Sequence, residues 1–299
     1  MGFETHLKEA VLRRSYMMQL QKVSGLWIVL VCLVCAKETQ AAGAKGAYEL
    51  GFPNVTNINT DLVRALEPSK RRQVSSNTLL LGSVRLPCVA SAPGENPDGP
   101  GQPVCISACF VDFINRVAHA KAMDEAERGF FARYTMRLAE DPRTSLAPDF
   151  DALLPKRVWD FNTMNRQASH FNQMVGGLLG IDHAHHYLGH YRKHAHCFDR
   201  QTALPQPINA MVTEEEWRQA VLEGARNALA CGLGIDGMKA IFQCFGQMQT
   251  RPPWAAYFIH PQADVQRMIL ELVQAERDFF AMDAKPRKIG PFGKSNFNR

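Results

Sequence analysis

Six of the ten histidines of this chain fall between His183 and His196, inside the segment Leu178–His196, LLGIDHAHHYLGHYRKHAH. On an α-helix each residue turns by ~100°, so residues four apart lie ~40° apart on one face. His186, His190 and His194 then form one stripe, with His183 on the same side. His185 and His196 share another face with Asp182 and Gly189. Two imidazoles four apart on a helix can hold one metal ion. Zinc suits neutral imidazole nitrogen joined by a carboxylate, with a position left open for water. A solvated or hydrogen-bonded side chain explains any single histidine, and Arg192 and Lys193 place part of the segment in water. Six histidines within 14 residues argue for metal affinity instead.

Several donor sets are open. His186 and His190 keep the four-residue spacing, with Tyr187 where a base would stand and Asp182 or Glu223 supplying a carboxylate. Asp182 and His185, three apart, form another pair. Tyr187 titrates near ~10 when unperturbed, so it needs strong metal assistance to act as a base.

These residues need helices to position them. Helical periodicity predicts elements over 104–140 with a break near Asp124, and over 167–196, so that the histidine stripe is continuous. Thr213 with Glu216 reads as a capping box, opening a helix to about Cys231 that stops at Gly232 and Gly234. Asp236 is expected to cap the next helix, through Met248. Arg251-Pro252-Pro253 breaks the chain, and a last helix is expected over 261–282. Trp254, Tyr257 and Phe258 fit a packed loop. Residues 44–103 are poor in helix signals, and Ser91–Pro103, SAPGENPDGPGQP, reads as a linker.

The 299 residues are 46% hydrophobic and 21% charged, which excludes a disordered chain and a polytopic membrane protein. The net charge of +5 is small and scattered, so no nucleic-acid partner is expected. Arg13, Arg14 and Lys22 precede the apolar run Leu26–Ala36, and small residues follow near Ala42 and Ala44. That order spells a signal peptide and a secreted or periplasmic protein. The run has 11 residues, short of the ~20 of a spanning helix. Cys88, Cys105, Cys109, Cys197, Cys231 and Cys244 remain after it. Export permits disulfides among them, with the pairing open. Phe279-Phe280 and the basic tail allow contact with a membrane surface.

Ala184-His185-His186-Tyr187-Leu188-Gly189-His190 resembles the second half of the gluzincin motif of HtpX-type and CAAX-prenyl-protease peptidases, H-E-L-A-H-H-Y-L-G-H. Glu223 followed by Gly234-Ile235-Asp236 is similar to that family's acidic helix and its G-Y-D-P turn. Ala240-Ile241-Phe242, then His260-Pro261 and Arg267, echo its later elements. The likeness spans about 176–272. It implies a mainly α, zincin-like domain with a small loop-rich or β-containing N-terminal part, a zinc cofactor, and a protein or peptide substrate cleaved by activated water.

The departures fall on the chemistry. In the family's register the first zinc-ligand histidine is Ile181 and the general-base glutamate is Asp182. Gln219 holds the third-ligand position and Glu223 that of the family's aspartate, with Glu215 or Glu216 next in line if the register slips. The candidate site is therefore Asp182 and Glu223 as catalytic carboxylates, with His185, His186 and His190 as metal ligands. The expected organisation is a signal peptide over 1–44, a loop-rich lead over 45–103, a metallopeptidase-like domain over 104–284 and a basic tail over 285–299. The expected function is that of an exported zinc metallopeptidase-like protein whose peptidase activity is weakened or lost. The alternatives are a non-enzymatic metal-binding or scaffold protein of the cell envelope, and a hydrolase of different chemistry.

Overall fold

The computed structural model describes residues 47–74, 78–82, 86–91, 103–140, 160–199 and 205–283. The expected signal peptide, the basic tail and most of the linker lie outside these residues. The expectation of a mainly α protein with a small β-containing part holds. No helix among the described residues is long and apolar enough to cross a membrane.

The lead segment departs from its expected loop character. It forms helix α1 (Ala47–Ala65) and helix α2 (Pro68–Val74) before any strand. Val55, Ile58 and Leu62 recur at helical spacing and are buried, and this stripe outweighs Pro53. The proline is the seventh residue of α1 and forfeits one bond to the preceding turn, a cost that the burial of the stripe offsets.

Three short strands follow: β1 (Thr78–Gly82), β2 (Val89–Ser91) and β3 (Pro103–Ser107). β3 is central, parallel to β1 and antiparallel to β2, with Cys105 opposite both Leu80 and Ala90. The helix expected from residue 104 therefore starts later. Ser107 leaves β3, caps helix α3 (Ala108–Ala126) by accepting from the Phe110 N–H at 2.9 Å, and bonds Cys88 across the sheet. Cys105 and Cys109 accordingly sit on a strand and a helix. No disulfide joins the six described cysteines. A turn at Gly129 leads to helix α4 (Phe130–Glu140).

Helix α5 (Phe161–Tyr187) is the axis of the molecule. It is capped by Asp160 and packed against α1, α2, α3 and β2. It ends earlier than the histidine pattern suggests: Gly189 has φ +78°, and a short helix α6 (His190–Lys193) leaves in a new direction. The positive φ suits glycine, and the corner it makes ends the continuous stripe. Helix α7 (Glu214–Ala230) begins in the expected capping box of Thr213 and Glu216. Helix α8 (Asp236–Gly246) has Ile235 rather than Asp236 as its N-cap, and helix α9 (Val265–Asp283) starts after the expected point.

Both α7 and α8 pack on α5. At the α5–α7 crossing the two backbones touch. A Cβ added to Gly180 would sit 2.8 Å from the Gly224 carbonyl oxygen, and one added to Gly224 would sit 2.6 Å from the Ile181 nitrogen. The aromatic centre of the core lies beyond, where Phe113, Phe245, Trp254 and Phe258 stack and cross at 5.4–6.3 Å. Trp254 and Phe258 thus belong to a packed loop, as expected.

Candidate functional site

The end of α5 and the corner after it bring Asp182, His185, His186, His190 and Tyr191 together, with Ser91 arriving from β2. Asp182 is buried. Its Oδ1 accepts from the Tyr191 hydroxyl at 2.7 Å and its Oδ2 from the Ser91 hydroxyl at 2.8 Å. The Ser91 backbone N–H adds a longer bond to Oδ1 at 3.3 Å. The His186 Nε2 lies 2.7 Å from Ser91 Oγ. Since the one proton of Ser91 goes to Asp182, His186 must donate Nε2–H to the serine oxygen. That polarity is the reverse of a histidine base acting on a serine nucleophile. His186 also stacks on Tyr191 with centroids 4.4 Å apart.

His185 forms a second chain of bonds. The Asn209 amide donates Nδ2–H to the Ala256 carbonyl at 3.0 Å, so its Oδ1 faces His185 Nε2, also at 3.0 Å. His185 must then carry its proton on Nε2. Its Nδ1 offers a lone pair to His190 Nδ1–H, 2.9 Å away. The backbone carbonyl of Ala256 therefore dictates two imidazole tautomers through one side-chain amide.

Burial favours neutral rings throughout. It pushes His185 down to about 3, reinforced by His190 and opposed by Asp182. Burial pushes His183 down to about 4, and both of its ring nitrogens lack a hydrogen-bond partner. His186 and His190 are also lowered, chiefly by burial, with Asp182 and Glu216 respectively pulling the other way.

The acidic helix contributes differently from expectation. Glu223 is not brought to the histidines. Its carboxylate accepts from Lys70 and Arg226, each at 2.6 Å. Burial alone would raise its pKa, but these two cations outweigh it and hold the carboxyl low. Lys70 also lies 5.0 Å from the centroid of the Tyr187 ring. Glu216 is the carboxylate that meets the histidine segment. Its Oε2 lies 2.9 Å from His194 Nε2, and its Oε1 accepts from Lys193 at 2.5 Å. Burial opposes its ionisation, but the bonds from Lys193, Thr213 and His194 bring its pKa down to about 2.

The donor set does not fit a zinc centre of the gluzincin kind. Ile181, at the first-ligand position, is buried in the core, and Gln219, at the third-ligand position, is exposed. His185 spends both ring nitrogens on protein partners. Among the described residues, no group of three or more His, Cys, Asp and Glu side chains is placed to hold a metal ion. The space between Asp182, His185 and Asn209, closed over by Val89, Tyr257 and Phe258, measures about 10 Å³, about the least that one water needs.

Sequence reasoning missed Ser91, Tyr191 and Asn209. Tyr191 adjoins the motif, but Ser91 lies 91 residues from its partner and carries no local signal. Asn209 sits at the end of a proline-containing loop, where an asparagine ordinarily reads as a turn residue. Comparison with family models, curated proteins and solved structures finds no match to this chain.

Proposed function

We propose that this is an exported, metallopeptidase-like protein that has lost peptide hydrolysis and serves the cell envelope as a non-enzymatic helical scaffold for protein partners. One observation carries the reading: His185, the one family ligand retained in the motif, has both ring nitrogens committed within the protein, to Asn209 and His190. A zinc ligand needs a free lone pair aimed at the ion, with its other nitrogen held by a neighbour. Here both sides are held.

The neighbouring groups support the same reading. Asp182, in place of the general base, ties Ser91 and Tyr191 to α5 rather than facing a water-filled cleft. The histidine segment thereby fastens β2, the turn at Asn209 and the corner after α5 to the central helix, which is a structural task.

Metal analysis of the purified full chain, paired with a casein-cleavage assay, tests this. The expected result is far less than one zinc per chain and no cleavage with zinc added. Stoichiometric zinc that is lost in His185→Ala, together with chelator-sensitive cleavage, would overturn it.

A further inference from the structure

We propose that the cleft between the end of α8 and the start of α9 is a binding site for an organic carboxylate with an apolar body, anchored by Arg251. This goes beyond the scaffold reading and does not depend on it.

The cleft measures about 510 Å³, within the range of small-molecule sites. Its lining is mixed: the exposed prolines Pro253 and Pro261 give it apolar surface, Gln249, Thr250 and Gln262 give it neutral polar surface, and among the described residues Arg251 is the one charged member. The guanidinium is held rigidly. Nη1 donates to the carbonyls of Pro261 at 2.9 Å and His260 at 3.3 Å, and Nη2 donates to that of Ala263 at 2.9 Å.

All three partners are neutral. Among the described residues no carboxylate pairs with Arg251, and the sole influence on its acidity is partial burial, which lowers it. A half-buried cation with only neutral partners is under-compensated, because dipoles offset less of the lost hydration than an anion does. Elsewhere the protein supplies that anion: Arg218 has both Glu215 and Glu271, and Lys239 has both Asp236 and Glu276.

Among the described residues Arg251 finds acceptors for three of its five N–H groups, which leaves Nε–H and one on Nη2. Two donors match the two oxygens of one carboxylate. The exposed faces of Pro253 and Pro261 then suit a hydrocarbon body. A bare inorganic anion gains nothing from those walls, and an alcohol offers the cation one neutral acceptor in place of a charged pair.

Calorimetric titration of the full chain with octanoate, octanol and acetate separates the contributions. Octanoate is expected to bind at least about tenfold more tightly than either of the others. Arg251→Gln is expected to weaken octanoate by at least about tenfold. Because Arg251 also braces the turn at 260–263, that variant risks disturbing the fold. Thr250→Trp provides a second variant: Thr250 is an exposed residue of the cleft wall that takes no part in the carbonyl bonds, and an indole there is designed to occupy the cleft. It is expected to abolish octanoate binding with the unfolding midpoint unchanged. Octanol binding as tightly as octanoate, octanoate binding undiminished in Thr250→Trp, or no octanoate binding below about 1 mM would each overturn the proposal.

Discussion

The histidine corner and the Arg251 cleft handle buried polarity in opposite ways. At the corner, Asp182, Ser91, Tyr191, His186, His185, His190 and Asn209 answer one another, and the space left among them is about the size of one water. At the cleft, a positive charge is braced by carbonyls alone beside about 510 Å³ of open space. The residues that look most catalytic in sequence are those with the least capacity left for a ligand. Residue type marks chemical potential, whereas unused donors and room around them decide whether it is available to anything outside the protein.

The contrast can be broken at its closed side first. Asp182→Ala strips two hydroxyls and a backbone N–H of their acceptor in a site without room for several waters. A loss of about 2 to 3 kcal/mol in urea unfolding is expected. A loss below about 0.5 kcal/mol would mean that the network does not hold the corner.

Acid provides a graded version of the same test. His183 and His185 have folded-state pKa values pushed down to about 4 and about 3, against ~6.5 in an unfolded chain. Below about pH 6.5 the unfolded chain binds more protons than the folded one, so stability falls as pH falls. Their contribution is fully present above ~6.5 and is lost toward the folded values, at up to ~1.4 kcal/mol per pH unit for each ring. His183→Leu is expected to remove one ring's share of that slope between pH 6 and pH 5. At pH 7 it should change stability by less than about 1 kcal/mol, because both nitrogens it removes are unpartnered. An unchanged slope would show that His183 is hydrated in solution.

The open side should respond least. Arg251→Met gives up the carbonyl bonds of one turn while leaving the walls in place. The expected cost is about 1 kcal/mol, with the share of the acid slope that belongs to His183 and His185 unchanged. A loss as large as that of Asp182→Ala would make Arg251 a structural brace first and a ligand anchor second.

Much of the helical frame was legible in the chain. The capping box at Thr213 and Glu216 is a local signal whose physics needs no tertiary context, and it sits where expected. The helix α1 was not legible, since Pro53 and the asparagines around it obscured a buried stripe whose partner lies far along the sequence. The histidine stripe misled for a related reason. A four-residue repeat assumes that the helix continues, and Gly189 turns the chain between His186 and His190. His190 consequently meets His185, five residues back, rather than extending a line from His186. Glu216 meets the histidine segment from its expected capping box, while Glu223 is held by Lys70, on a helix that composition did not reveal.

The touching backbones at Gly180 and Gly224 carry a further consequence. Where two helices are separated by side chains, their spacing can drift as those side chains are exchanged, and contacts farther along drift with it. Here the separation is a hard stop set by the thickness of the main chain itself. The reach from Glu216 to His194 is measured from that stop, so the surface around that pair inherits a fixed datum however freely the residues on its exposed faces vary.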